Sequence, residues 1–248
     1  MMSELENPGP HDHLVHLYQE PALLAEAVRE YIGSGLRAGE AALIIATPEH
    51  RALFVQGLES FVESGQLWVY DAEETLGRFM VDGMPDWRSF QDVAGGLIAE
   101  LRLQYPAVRA YGEMVDVLWQ RGEQEAAVRL EEYWNELGRL QTFSLLCAYR
   151  MDPLDGASYG GALECVCRTH SHLIPSRDPA RYDAAVTEAS GKVLDQPLAQ
   201  ILLALAANHQ TSTRMPAGQS ALFWLKQNMP RTAEKVLTEL RAGSSPAG

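Results

Sequence analysis

Lysine is nearly missing from this chain. The 248 residues carry three, Lys192, Lys226 and Lys235, so the first 191 offer none to hold a phosphate against a glycine-rich loop. Cysteine is equally scarce. Cys147, Cys165 and Cys167 are too few, and too close to apolar segments, for a disulfide framework, and reduced thiols are expected. No apolar run reaches the roughly 18 residues of a membrane helix. The opening Met-Met-Ser-Glu-Leu-Glu-Asn-Pro lacks the basic-then-apolar order of a signal peptide, so a cytoplasmic chain without membrane contact is expected. Positive charge is also short overall: 20 Lys and Arg face 33 Asp and Glu, a net charge of −13. That balance argues against direct nucleic-acid binding, which draws on neutralised phosphates. The deficit is uneven. From Ser176 onward eight basic residues face six acidic ones, +2, which leaves −15 for the first 175 residues.

What is present begins with a βαβ pattern. His13-Leu-Val-His-Leu-Tyr18 reads as a strand, and residues from Pro21 to Ile32 carry apolar pairs at Leu23/Leu24, Ala27/Val28 and Tyr31/Ile32 at helical spacing. Gly35 to Gly39 forms the exit, and Ala41-Ala-Leu-Ile-Ile-Ala46 is a buried strand. In nucleotide-binding α/β proteins the first turn of such a unit holds phosphates on backbone N–H groups and a helix N-terminus. Here that turn is Tyr18-Gln-Glu-Pro21, with no glycine and with an acid where an anion would sit. The unit has the scaffold of a phosphate site without the site.

Strands and helices continue to alternate. Thr47-Pro48 caps a helix whose inner face is Leu53, Phe54, Leu58, Phe61 and Val62, closed by Gly65. Leu67 to Asp71 is the third strand, followed by a short helix to Met80 and a turn-rich loop, Asp82 to Asp86, whose last residue caps a helix carrying Trp87, Phe90, Val93, Leu97 and Leu101. Ala107 to Glu113 is the fourth strand, two helices break near Gly122, and Thr142 to Tyr149 is an apolar fifth strand suited to the centre of a sheet. Gly160 to His172 reads as a further helix closed by Pro175. The fold class expected is α/β, a mostly parallel sheet with helices on both faces. From Ser176 the alternation stops. Arg177 to Asp195 reads as a polar linker with some helix, Leu198 to Ala207 as a strongly apolar helix, and Leu222 to Leu240 as two helices parted by Pro230. Three regions are expected: a lead-in at 1–12, an α/β domain at 13–175 and a helical extension at 176–248.

The run from His13 to Tyr18, Gly35-Leu-Arg-Ala-Gly-Glu40 through Arg51, Tyr70 to Leu76, Arg109-Ala-Tyr-Gly-Glu-Met114, Trp134-Asn-Glu-Leu137 and Phe143 to Tyr149 resembles the MEDS domain, the methanogen/methylotroph sensory domain of prokaryotic regulators and sensor kinases. The resemblance covers about residues 11 to 175. It implies a RecA/KaiC-like core whose phosphate loop is lost, and a sensory or regulatory module rather than an enzyme. It further implies a small organic ligand or a signalling protein as partner.

Ligands of open α/β sheets bind beyond the carboxyl ends of the strands. Those ends present His16, Tyr18 and Gln19, then Thr47, Glu49 and His50, then Asp71, Glu113 and Tyr149, and these nine are the expected ligand-binding residues. No catalytic residue and no cofactor is expected. The enzymatic alternative is a nucleotide hydrolase using Glu113 and Asp71 with Mg²⁺. A metal is not expected at the histidines of the first strand, because His11 and His13 share one face and His16 takes the other. Nor is zinc expected in Cys165-Val-Cys167-Arg-Thr-His170-Ser-His172, since residues two apart on a helix point about 200° from each other. Trp68, Trp87, Trp119 and Trp134 are spaced as packing residues. The tail helices are expected to bury their apolar faces on the core or in a homodimer.

Overall fold

The computed structural model describes residues 4–152, 163–174, 179–207 and 213–244. The chain divides into two compact units, Met1–Arg150 and Met151–Gly248. The family resemblance placed a boundary at 175.

In the first unit five strands follow the chain in alternation with helices: β1 His13–Tyr18, β2 Ala41–Ala46, β3 Leu67–Asp71, β6 Val108–Gly112 and β7 Ser144–Arg150. Two further two-residue strands, β4 Met80–Val81 and β5 Met84–Pro85, pair antiparallel as a small hairpin. In the sheet the order is β3-β2-β6-β7-β1, with every neighbouring pair parallel. All residues of β1, β2 and β6 are buried, as parallel strands covered on both faces must be.

Strand alternation assigns the covering helices. On one face, Tyr31 and Ser34 of α1 (Pro21–Arg37) meet Ser144 of β7 and Arg109 of β6. On the other, Trp134 of α8 (Gln124–Leu140) lies against Gly112 of β6, and Asn135 meets His13 of β1. The α/β class with helices on both faces is therefore the observed one.

Two of the sequence stretches behind the resemblance meet at the amino ends of the strands. Arg109, 3% exposed, donates from Nε to Glu40 Oε2 at 2.5 Å and from Nη1 to Tyr31 O, Leu5 O and Ser34 Oγ at 2.9, 3.0 and 2.8 Å. Gly35 packs so closely on this guanidinium that a Cβ would collide with the Arg109 side chain and the Glu40 carboxylate. That explains a glycine within α1. At the exit, Gly39 takes φ +83°, where a side chain would be strained.

Several local expectations shift. The helix opened by Thr47 ends at Phe54 as α2 (Pro48–Phe54), and a separate turn of helix, α3 (Glu59–Glu63), follows Gly57 at φ +80°. Val62 is 39% exposed instead of lining an inner face. The helix after β3 is α4 (Ala72–Gly77), and Met80 belongs to the hairpin. Asp86 caps its helix by accepting from Ser89 N at 2.9 Å, but the helix passes through a π turn, Gln91–Gly95, between α5 (Trp87–Phe90) and α6 (Gly96–Gln104). Wide π turns let the helix re-aim, here where Gly95 meets the Leu137 side chain. Next come α7 (Met114–Gln120) and α8, parted at Gly122 as read.

In the second unit, α9 (Leu163–Thr169) is shorter than the helix read to His172. The chain beyond it is instead β8 (His172–Ile174), beside which Leu173 N donates to Arg214 O at 2.7 Å and Arg214 N to Ser171 O at 2.8 Å. Arg214, more than 40 residues further along, is invisible to a local pattern. Gly160 and Pro175 lie outside the described residues, as do Arg177 and most of the polar stretch 208–213. The expected linker is largely helical, α10 (Pro179–Leu194), and it ends at Asp195, whose φ is +67°. Asp195 Oδ1 then caps α11 (Gln196–Ala207) through Leu198 N at 3.0 Å. Two more helices, α12 (Ala217–Asn228) and α13 (Pro230–Ser244), part at Pro230 as read. Both pack with α10, and Asp183 pins the start of α12 by accepting from Gly218 N at 2.6 Å. Among the described residues no helix is long and apolar enough to cross a membrane.

Candidate functional site

Glu113 follows β6 at the carboxyl end of the sheet and is 2% exposed. Its carboxylate is enclosed by donors from three places. Oε1 accepts the N–H of Thr47, at the β2–α2 junction, and Oε2 meets His50 Nδ1 at 2.7 Å and the Tyr111 hydroxyl at 3.1 Å. The proline-opened α2 is what turns His50 back to this carboxylate. The hydrogen bond to Glu113 raises the His50 pKa above its usual value, against a smaller opposing effect of burial. The imidazolium form is thus favoured.

One helical turn later stands a second buried acid, Asp116. Its Oδ1 accepts from Gln120 Nε2 at 2.9 Å and from Arg150 N, at the end of β7, at 3.1 Å; Oδ2 accepts from Tyr18 OH, at the end of β1, at 3.1 Å. Burial raises the Asp116 pKa, partly offset by these three bonds. The Tyr18 phenol is pushed far up, chiefly by burial and then by the nearby Asp116 charge, so it stays a donor. Aromatic rings bridge the two acids: Tyr18 stands edge-on to His50 at 6.0 Å, His50 lies 5.5 Å from Phe54, and Phe54 meets Tyr111 at 5.1 Å.

Of the nine residues expected here, Tyr18, Thr47, His50 and Glu113 come together. His16 is buried on β1, on the Tyr18 side of the strand by alternation. Gln19 and Glu49 are exposed. Asp71 serves the scaffold: Oδ1 caps α4 through Glu74 N at 3.0 Å, and Oδ2 pairs with Arg51 Nη2 at 3.1 Å. Tyr149 faces the opposite side of the sheet, where its hydroxyl donates to Glu131 Oε1 at 2.6 Å. Asp116, Tyr111 and Phe54 were missed. Asp116 had a signal, an acid set among Met114, Val115, Val117 and Leu118 at the start of an apolar helix.

The tryptophans are packing residues where the structure buries them. Trp134 is 2% exposed and edge-on to Phe90 at 5.0 Å. Cys165 lies on α9, but its side chain is outside the described residues; Cys167 is buried, and burial raises its pKa to about 12.

This arrangement suits binding. Two carboxyl groups and a histidine sit among aromatic rings, with their hydrogen bonds supplied from β1, the β2–α2 junction, α2, β6, α7 and β7. No curated protein matches the chain. One family model does match: MEDS, the methanogen/methylotroph, DcmR sensory domain, over residues 12–171.

Proposed function

The chain belongs to the MEDS sensory-domain family, and from that premise we propose that it is a binding module whose ligand site is the Tyr18–His50–Glu113–Asp116 group at the strand ends. The observation that carries this reading is the Glu113 carboxylate, whose donors include the N–H of Thr47 at the hinge into α2. A small organic ligand, or a side chain of a signalling protein, that competes for Glu113 releases Thr47 and His50 together and frees α2 to move. Binding energy thereby becomes a conformational signal. Output runs through the C-terminal helices. The row Leu198, Ile201 and Leu205 on α11, respectively 42%, 59% and 56% exposed, is the face on which a second copy or a signalling partner docks.

The hydrolase alternative draws no support from this geometry, because Asp71 is committed to α4 and Arg51. A role without nucleotide hydrolysis fits the lack of lysine in the first 191 residues and the glycine-free first turn.

The test is a native mass spectrum of the protein as purified, followed by thermal-shift measurements with small alcohols, amines and carboxylic acids. A retained small molecule, or a compound that raises the melting temperature of the wild type but not of Glu113→Gln, supports the site. Mg-ATP turnover abolished by Glu113→Gln overturns it. Ile201→Glu is expected to convert a dimer to a monomer without unfolding it.

A further inference from the structure

On the other face of the sheet three buried side chains converge: His13 from the start of β1, Cys147 from the middle of β7 and Glu131 from α8. Each offers one ligand atom, and these lie within 4.8 Å of one another. His13 Nε2 is 3.3 Å from Cys147 Sγ and 3.3 Å from Glu131 Oε2, and Sγ is 3.8 Å from Oε2. A tetrahedral zinc ion, with bonds of roughly 2.0–2.1 Å to nitrogen and oxygen and about 2.3 Å to sulfur, spaces such atoms about 3.3–3.6 Å apart. The triangle already has nearly those edges.

A second shell orients it. Asn135, one helical turn after Glu131, places Oδ1 3.0 Å from His13 Nδ1. That oxygen accepts a hydrogen bond from Nδ1–H, so the Nε2 lone pair faces the thiol and the carboxyl. Tyr149 OH holds Glu131 Oε1 at 2.6 Å, which leaves Oε2 turned toward the other two ligand atoms.

We propose that His13, Glu131 and Cys147 bind a divalent transition-metal ion of the zinc type. The mixed thiolate, imidazole and carboxylate set suits zinc or cobalt and disfavours magnesium and calcium, which take oxygen ligands. Charge balances as the site fills: the thiol and the carboxyl each release a proton to solvent, and their two negative charges cancel the ion's two positive ones. The ion would tie β1, β7 and α8 together at a place separate from the Glu113 group.

The full chain, stripped with a chelator and supplied with Co²⁺ either folded or during refolding, tests this directly. The expected result is a saturable thiolate-to-cobalt charge-transfer band at one equivalent, release of about two protons per ion, and stoichiometric displacement by Zn²⁺. Cys147→Ser should abolish the band, and Asn135→Ala should weaken affinity about 10- to 100-fold. A wild-type chain that shows no band under either condition overturns the proposal and leaves a purely hydrogen-bonded cluster. So does a band that persists in Cys147→Ser, which would place the cobalt on another cysteine. If Cys147→Ser fails to fold, unchanged affinity in Asn135→Ala overturns it instead.

Discussion

Two groups in the first unit each set a histidine against a buried glutamate, yet their surroundings shift different groups. At the strand ends, Glu113 receives a backbone N–H, a phenol and His50, and the shift falls on the histidine, which is pushed up. On the opposite face, Glu131 receives the Tyr149 hydroxyl and the weak Cys147 donor. That is too little to offset burial, and the shift falls on the acid, which rises to about 8. The donors supplied by the surrounding elements decide which group's pKa is raised. The first group is thereby suited to a polar ligand and the second to exchange protons for a cation.

The sharpest way to break this comparison is to delete each glutamate. Glu113→Ala strands the Thr47 N–H, His50 and the Tyr111 hydroxyl in the interior, and should cost about 3–5 kcal/mol in chemical denaturation. Glu131→Gln removes a group that opposes folding once it ionises. The folded chain holds this proton up to about pH 8, whereas the unfolded chain releases it near its ordinary value of 4.5. Wild-type stability from this source therefore falls as pH rises from about 4.5 through 8. The raised pKa values of His50 and Asp116 act in the same direction. In the metal-free protein, Glu131→Gln should flatten this slope and gain on the order of a few kcal/mol relative to wild type at pH 8.5, read from melting curves across pH. A mutant slope as steep as that of the wild type would mean that Glu131 does not hold the proton.

A smaller effect separates both groups from the scaffold at the amino ends of the strands. Gly35→Ala drives a methyl group into the Arg109–Glu40 pair and should cost about 1–3 kcal/mol without changing the pH slope. The smallest expected effect is at the Arg51–Asp71 pair, 31% and 18% exposed. Arg51→Ala should cost under about 1 kcal/mol, since partly exposed ion pairs contribute little.

Much of the scaffold was legible in particular residues. Alternation placed His13 and His16 on opposite faces of β1, and Asp86, Gly39 and Gly122 marked a helix start and two exits where the structure has them. Glu113, His50, Thr47 and Tyr18 stood together in the reading because strand ends converge in a parallel sheet. Tyr149 did not fit the same argument. Its strand runs one residue further, to Arg150, and its side chain points to α8. The His13–Glu131–Cys147 group was not legible at all: its members are 118 and 134 positions from His13 and share no spacing rule.

By itself the sequence determined the five long strands of the first unit and the helices between them, the Asp86 cap, the exits at Gly39 and Gly122, and the absence of a phosphate loop, because these follow from periodicity and from neighbours a few residues away. Only the tertiary structure decided that β6 and β7 lie between β2 and β1. It also decided which histidine meets which acid and which of these groups is shifted. Desolvation and hydrogen-bond donors reach a buried carboxyl from elements far apart in the chain, and no local pattern carries that information.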